Sequence, residues 1–343
     1  MSAVAQRAQG ARPPASQAGQ TVVAVLGTGR IGTRHLAVLA GLEGITPTAV
    51  PARLARVKAL EESGQRAVAK LEETGAKAVV VATDTARHRD DTLAALRLGC
   101  DVLVEKPMAV DAAQARQMRQ EAQRLRRQLF VGCVLRFSES LNQFRELLPE
   151  VGQLHAVQIA CQSYLPEWRP GWDYRQRYSS RKEEGGVLRD LIHEIDYAGW
   201  LFGWPERLFG RLANLGRLGI EADELAELRW ELPRGGLVHV TLDYLTRPAR
   251  RWMRACGEGG TLEWDGREGI VTLQRPGGGA QQWRSTQTKE QLFGAQATAF
   301  LDACAGRIDP RLASADDAVA ALAVCDAARR SSESRREERV GYK

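Results

Sequence analysis

The sequence contains no apolar run of the roughly 20 residues that a membrane-spanning helix needs. Residues 1–20 are rich in alanine, glutamine, arginine and proline, and they hold no apolar core of the kind that marks a secretory signal peptide. We therefore expect no membrane contact and predict that residues 1–20 form a disordered leader.

Cysteine is also sparse. The six cysteines are dispersed, without a CxxC pair and without the spacing of metal ligands, so we predict no metal site. Scattered thiols of this kind are typical of a reducing compartment, which predicts a cytoplasmic protein.

Charge and aromatic content are modest. The net charge is +6 over 343 residues, and aromatic residues make up 6% of the chain. The basic clusters at 124–127 and 329–336 lack the aromatic neighbours that stack nucleic-acid bases, so we expect no nucleic-acid partner. With 44% hydrophobic residues and a length beyond that of most single cores, the sequence predicts a globular protein of two domains.

The segment TVVAVLGTGRIG, residues 21–32, is the first positive signal. A short apolar run stops at a glycine, as a strand buried in a parallel sheet would, and helical spacing of apolar residues follows. In this strand–turn–helix order, Gly27 makes the tight turn, Gly29 lets the backbone approach a pyrophosphate, and Gly32 lets the helix pack closely. The turn supplies the first predicted cofactor contacts, Gly27, Thr28, Gly29, Arg30, Ile31 and Gly32.

The second predicted strand, 45–50, bears on the choice of dinucleotide. NAD-preferring sites carry an acid near the end of this strand to bind the adenosine ribose. Here the end reads Val-Pro-Ala-Arg, and Arg53 or Arg56 could face a 2′-phosphate instead. The predicted cofactor is NAD(P), with NADP favoured over NAD. The alternative, that both arginines lie on a solvated helix face, stays open.

Two further apolar segments, 78–82 and 101–104, alternate with helical patterns at 54–71, interrupted near residues 63–64, and at 91–98. This alternation predicts an α/β domain over residues 21–136, built on a doubly wound parallel sheet. Ligands bind beyond the carboxyl ends of such strands. The residues there complete the predicted cofactor site: Thr83, Asp84, His88, Glu105 and Lys106.

Lys106 is a candidate catalytic residue. It lies between a strand end and Pro107, on a corner beside the nicotinamide end of the site, and the proline raises the chance of a cis peptide. Its ammonium could hold a substrate oxygen and assist proton movement there. The alternative is a surface lysine at a strand end.

The segments GTGRIG, ATDTARH and VLVEKP, at these separations, resemble the Gfo/Idh/MocA family of NAD(P)-dependent oxidoreductases. Asp84 stands where family members often have a proline. The resemblance continues through 111–129 and 130–135 to Arg136, which matches an arginine at the family's domain junction and is a predicted substrate contact. It implies a Rossmann domain followed by an α+β domain with an open, mainly antiparallel sheet.

The second predicted domain, 137–335, begins where strand–helix alternation gives way to strands. The stretch 164–174 holds two tryptophans, two tyrosines, an arginine and two acids, a mixture that suits a sugar or, alternatively, a small aromatic core. Its predicted substrate contacts are Trp168, Arg169 and Tyr174. Arg175, Arg177 and Arg181 could meet a carboxylate or phosphate, or lie in solvent.

The segment EGGVLRDLIHEIDY carries the predicted acid–base pair. Read as one helix to Phe202, it places Asp190, His193 and Tyr197 on one face. A carboxylate one turn from an imidazole can fix its tautomer, so His193 is the predicted base and Asp190 its orienting residue, both also facing substrate. A structural histidine is the alternative.

This segment resembles the family's second signature, roughly GGG-x-x-x-D-x-G-x-H-x-x-D, although the family commonly spaces the acid and histidine by four. Glu194 or Asp196 could therefore share the orienting role. Together with the aromatic loop, the segment looks like a subgroup associated with bacterial surface sugars and nonulosonic acids.

The rest of the chain predicts a sheet and closing helices. Strands are predicted at 155–161, 208–215, 224–232, 237–245, 252–256, 261–264 and 270–274, helices within 291–334, and a charged tail at 336–343. One face of the sheet is covered by helices. The other face, if apolar, is a natural dimer surface, and the resemblance implies a homodimer or homotetramer through this sheet.

These patterns predict an enzyme that moves hydride between NAD(P) and a secondary alcohol of a sugar, sugar derivative or cyclitol. His193 would take the hydroxyl proton and Lys106 would hold the same oxygen. Two alternatives stay open: a transient-redox glycoside hydrolase or epimerase with bound NAD(P), and a non-enzymatic NAD(P)-dependent sensor.

Overall fold

A computed structural model describes residues 20–342 of the chain. The predicted leader lies outside the described residues, apart from Gln20. None of the helices between residues 20 and 342 is long and apolar enough to cross a membrane.

The first domain is built on a six-stranded sheet in the order β14–β5–β4–β3–β1–β2. The strands are β1 Thr21–Leu26, β2 Ile45–Val50, β3 Ala78–Val81, β4 Asp101–Val104, β5 Leu129–Val131 and β14 Ala313–Ser314. All neighbouring pairs are parallel except β14 with β5, which confirms the predicted doubly wound sheet. The helices between its strands are α1 Arg30–Ala40, α2 Arg56–Glu62, α3 Thr85–Arg97 and α4 Ala112–Leu125.

The unbroken apolar run of β1 reflects burial on both sides of this sheet. Val23 and Val25 face one apolar cluster, whereas Ala24 and Leu26 face the other. A strand with a solvated face would alternate apolar and polar residues instead.

Helix α2 ends at Glu62, where an interruption was predicted, but the predicted continuation of the helix to residue 71 is wrong. Gly64 adopts a φ of +81°, and the chain turns back so that Ala49 exchanges backbone hydrogen bonds with Arg66 and Val68. A short 3₁₀ turn, Leu71–Thr74, precedes β3. Pairing with β2 at the sheet edge has therefore overridden the helical pattern.

The second domain contains a nine-stranded sheet in the order β13–β12–β11–β10–β6–β9–β8–β7–β15. Only β6 and β9 pair in parallel. The strands are β6 Leu154–Gln162, β7 Arg207–Ala213, β8 Leu225–Glu231, β9 Leu237–Asp243, β10 Arg250–Gly257, β11 Gly260–Asp265, β12 Ile270–Gln274, β13 Ala280–Arg284 and β15 Glu338–Arg339. The seven predicted strands are all present, whereas β13 and β15 were not predicted.

Five helices accompany this sheet: α5 Glu139–Leu147, α6 Val187–Asp190, α7 His193–Phe202, α8 Lys289–Cys304 and α9 Ala315–Ser334. The last two reach back to the first domain. Phe300 of α8 shares an apolar cluster with Leu36 and Leu39 of α1, and β14 extends the first sheet. The closing helices therefore tie the two domains together.

The uncovered face of the second sheet is polar. It presents Gln158, Glu227, Arg229, His239, Arg254 and Glu263, all exposed. This face was predicted to be a dimer surface on the condition that it is apolar. The described residues do not meet that condition.

Candidate active site

The glycine turn between β1 and α1 leaves room for a dinucleotide. Gly27 has a φ of +87°, and a Cβ on Gly32 would lie 1.9 Å from the carbonyl oxygen of Gly27, whereas a Cβ on Gly29 would meet nothing within 4 Å. Helix α1 then starts with no side-chain cap and no acid in its first turn. Its free N–H groups face this open space, so the residues present fit a pyrophosphate.

The loops that follow β3 and β4 meet beside this turn, because β4, β3 and β1 are neighbours in the sheet. His88 joins the two loops. Its Nδ1 lies 2.8 Å from the carbonyl oxygen of Pro107, and its Nε2 lies 3.0 Å from that of Thr83. His88, a predicted cofactor contact, is also buried, so in this structure it lies beneath the two loops and supports them.

The other predicted contacts lie around the same edge. The Thr83 hydroxyl donates to Asp91 at 2.7 Å, and Asp84 is exposed at the start of α3. Arg53 is exposed beyond β2, whereas Arg56 donates from Nη1 to the carbonyl oxygen of Thr28 at 2.9 Å.

Glu105 is held by a histidine that sequence reasoning missed. His35 Nε2 and Glu105 Oε1 are 2.7 Å apart, and the other carboxylate oxygen accepts the backbone N–H of Lys106 at 3.2 Å. Burial works to raise the pKa of Glu105, but His35 and Lys106 outweigh burial and lower it. A signal was available in the sequence, because His35 is a polar residue on the buried face of α1 beside Leu36.

Lys106 connects the two halves of the site. The Lys106–Pro107 peptide is cis, and the ammonium of Lys106 donates to the backbone carbonyl oxygen of Asp190 at 2.6 Å. Two segments predicted independently to be catalytic, 84 positions apart, therefore meet in the folded chain.

The predicted hydrogen bond between Asp190 and His193 is not formed. Helix α6 ends at Asp190 and α7 begins at His193, so the two side chains do not share the face of one continuous helix. Asp190 Oδ2 accepts instead from the hydroxyl of Tyr244 at 2.7 Å. Asp190 Oδ1 and His193 Nδ1 are both buried without a partner among the described residues.

The remaining acids of this segment are also occupied. Glu194 is fully buried and pairs with Arg251 at 2.7 Å. The neighbouring Tyr197 is a core residue, packed edge-on against Trp264. Asp196 pairs with Arg136. Neither Glu194 nor Asp196 is therefore placed to orient His193, and Tyr197 does not join the acid–base group.

Electrostatics keep His193 neutral. Burial, followed by the charges of Lys106 and Arg251, holds the pKa of His193 well below its usual value of 6.5. A neutral imidazole can accept a proton, so His193 is in the protonation state that a base requires at pH 7.

Two tyrosines near Asp190 were missed. Tyr244 binds the Asp190 carboxylate, and the charge of Asp190, followed by burial, raises the pKa of Tyr178. Tyr244 directly follows strand β9, and Tyr178 lies in a short 3₁₀ turn. No local pattern separates them from ordinary core tyrosines.

Arg136 requires a correction. Its side chain is 1% exposed, and its guanidinium donates to Asp196 at 2.7 and 3.0 Å and to Asp317 at 3.2 Å. We therefore reassign it from a predicted substrate contact to a buried ion pair that joins α7 and α9.

The aromatic loop packs over Asp190. Trp168 donates from Nε1 to the Ser163 hydroxyl at 2.9 Å and meets Tyr244 edge-on, with ring centroids 5.3 Å apart. The Tyr174 hydroxyl donates to the carbonyl oxygen of Leu218 at 2.9 Å. Arg169 is partly exposed next to Trp168.

Comparison with known proteins assigns the chain to a family. The model described as the oxidoreductase family with an NAD-binding Rossmann fold, GFO_IDH_MocA, matches residues 21–133. A second, the GFO/IDH/MocA C-terminal domain, matches residues 143–263. The chain therefore belongs to the Gfo/Idh/MocA family, and its first domain is an NAD-binding Rossmann fold.

Particular relatives span the chain to different extents. The rhizopine catabolism protein MocA of Rhizobium meliloti is 28% identical over 322 residues, which cover 89% of this chain and 92% of the relative. The 2,7-anhydro-N-acetylneuraminate hydratase of Mediterraneibacter gnavus is 30% identical over 212 residues, which cover 56% of this chain and 55% of the relative. The chain spans about half the length of other curated relatives, 47% of one and 53% of another.

Solved structures support the fold. Levoglucosan dehydrogenase in complex with NADH superposes with a TM-score of 0.83 at 15% identity, covering 94% of this chain and 99% of that one. The chain therefore shares its two-domain fold with this solved structure.

Proposed function

We propose that the protein is an NAD(P)-dependent oxidoreductase that transfers hydride to or from a secondary alcohol carbon of a sugar, sugar derivative or cyclitol. The observation that carries this proposal is the contact of Lys106 Nζ with the backbone carbonyl oxygen of Asp190, 2.6 Å long. It gathers a cation, a carboxylate and a neutral imidazole beside an open glycine turn. The names of two relatives, an inositol 2-dehydrogenase and a D-glucoside 3-dehydrogenase, agree with this substrate class.

Bound NAD(P) supplies the carbon that accepts or gives the hydride. In the oxidation direction, Lys106 holds the substrate hydroxyl oxygen and favours its loss of a proton. His193 accepts that proton because its ring is neutral, and Nε2 is the available atom, since Nδ1 is enclosed. The backbone carbonyl oxygen of Asp190 holds the Lys106 ammonium in place, and Tyr244 holds the Asp190 carboxylate.

The first experiment is a fluorescence titration with NADH and NADPH, followed by an absorbance screen at the nicotinamide band. The screen pairs the preferred cofactor with inositols, free sugars, sugar acids and nucleotide sugars. We expect Lys106→Ala and His193→Ala to keep cofactor binding and to lose about 100- to 10,000-fold in turnover. Lys58→Ala is the matched control, because Lys58 is 86% exposed.

Failure to bind either nucleotide would overturn the proposal. Binding without net turnover on any alcohol, together with a Lys106→Ala variant that behaves as the parent, would overturn the hydride-transfer role and leave a binding protein.

We further propose NADP(H) as the preferred cofactor. The support is the exposed Arg53 at the end of β2 and the lack of an acid between Ile45 and Arg56. Arg56 contributes by fixing the glycine turn through Thr28.

Self-association and location are proposals as well. The open face of the second sheet carries both acidic and basic side chains, which suit a polar contact between two copies, and light scattering after size exclusion tests this. The cysteines among the described residues are unbridged, which agrees with the proposed cytoplasmic location.

A further inference from the structure

The loop from Ser163 to Glu184 brings an uneven set of charges to the catalytic pocket. It holds five basic residues and four acids. Three of the acids already have partners. Glu167 lies 3.1 Å from Arg247, Glu184 pairs with Arg181, and Asp173 accepts the backbone N–H of Arg175 at 3.0 Å.

Among residues 20–342, four of the five basic side chains of this loop have no acidic partner, since Arg181 alone of the five pairs with a carboxylate. Arg175 and Lys182 are exposed, whereas Arg169 and Arg177 are partly buried. Arg177 stacks on Trp172, 3.9 Å from the ring centroid, and its Nε is buried without a hydrogen bond to the described residues. Arg169 is partly exposed and follows directly after Trp168.

The position of Arg169 relative to the reacting groups follows from its neighbours. Trp168 packs edge-on against Tyr244, whose hydroxyl binds Asp190. The charge of Arg169 also acts on the Tyr178 phenol, which lies beside Asp190. Arg169 therefore stands at the edge of the pocket that contains Lys106 and Asp190.

We propose that the substrate is an acidic sugar or cyclitol derivative whose carboxylate binds Arg169, with the Arg177–Trp172 stack forming the outer wall of this subsite. The inference rests on the proposed oxidoreductase function and specifies its substrate class. A guanidinium matches a carboxylate with two parallel N–H donors, which a neutral hydroxyl cannot do. The nearby Arg251 is excluded from this role, because Glu194 already neutralises it.

The test compares matched acid and neutral probes. Initial rates are measured with the preferred cofactor on D-glucuronate, which carries a carboxylate, and on neutral D-glucose. Glucose 6-phosphate tests whether a phosphate is preferred instead. The variants are Arg169→Gln, Arg169→Lys and the control Arg175→Gln, because Arg175 is exposed on the same loop. We expect a preference for glucuronate in the parent and a loss of about 10- to 100-fold for Arg169→Gln on glucuronate alone. Arg169→Lys should recover part of this loss, and Arg175→Gln should stay within about twofold.

Equal use of glucuronate and glucose, or equal losses on both in Arg169→Gln, would overturn the inference, as would a preference for the phosphate. If no probe is turned over, the proposed function fails separately, and binding of glucuronate to the NADPH-loaded protein is measured by calorimetry. Binding that Arg169→Gln abolishes would support the subsite; no binding, or binding that this variant retains, would overturn it.

Discussion

The Arg136–Asp196 pair offers a direct test of the corrected role of Arg136. Both side chains are almost inaccessible, at 1% and 3% exposure, and two hydrogen bonds of 2.7 and 3.0 Å join them. Although burial opposes the charge on Arg136, Asp196 outweighs burial and raises the pKa of the guanidinium. Arg136→Met would leave the Asp196 carboxylate buried without its cation.

Removing one partner of a buried ion pair typically costs about 3–5 kcal/mol in the free energy of unfolding. Asp317 adds little to this loss, since it is 28% exposed and keeps its hydrogen bonds to Ser314. We therefore expect Arg136→Met to unfold at a clearly lower urea concentration, with the loss in the range of about 3–5 kcal/mol.

The double variant Arg136→Met with Asp196→Leu provides the control. It removes both charges, so it should recover much of the loss seen in the single variant. An Arg136→Met protein that keeps its stability within about 1 kcal/mol and shows only a raised KM would refute the ion-pair assignment and restore the substrate contact.

Three further predictions concern the cofactor and catalytic residues. The folded-state pKa of His193 lies below its unfolded value, so the unfolded chain binds the extra proton, and the free energy of unfolding should fall as the pH drops below about 6.5, by at most about 1.4 kcal/mol per pH unit. Urea unfolding midpoints measured between pH 5 and 7 should show this fall in the parent, and His193→Gln should remove it. His35→Leu leaves the buried Glu105 carboxylate with only the Lys106 N–H, so we expect a loss of about 1–3 kcal/mol and lower kcat, with His35→Gln partly restoring both. Arg53→Gln should weaken NADPH binding about 10-fold and leave NADH binding unchanged, measured by fluorescence titration; equal effects on both nucleotides would contradict a phosphate contact.

The sequence predicted those parts of the fold whose signals are local. Strand β1 and the glycine turn are read from consecutive residues, and the burial of Val23 and Ala24 on opposite sides of the sheet explains the unbroken apolar run. Strand β13 could not be read this way. Its residues are mostly polar, because it pairs only with β12 at the sheet edge.

The sequence singles out individual residues of the candidate site, whereas the way in which they come together depends on distant contacts. Lys106 and His193 stand out locally, through a strand end before a proline and a histidine in an acidic segment. The partners of Arg136 are 60 and 181 positions away, and Tyr244 is 54 positions from Asp190. The prediction that Asp190 orients His193 assumed one continuous helix, and the turn at residues 191–192 removes that assumption.

The charge of Lys106 then has two effects that must be considered together. It lowers the pKa of His193, which by itself makes the imidazole a weaker base. In the proposed mechanism it would also lower the pKa of a substrate hydroxyl held at the same ammonium, which would preserve the driving force for proton transfer between the two. Lys106→Ala would release both effects, and the pKa of His193 would rise while the alcohol became harder to ionise. The pH profile of kcat/KM in this variant should therefore shift toward higher pH as the rate falls, whereas a lysine that only positions substrate would lower the rate without moving the profile.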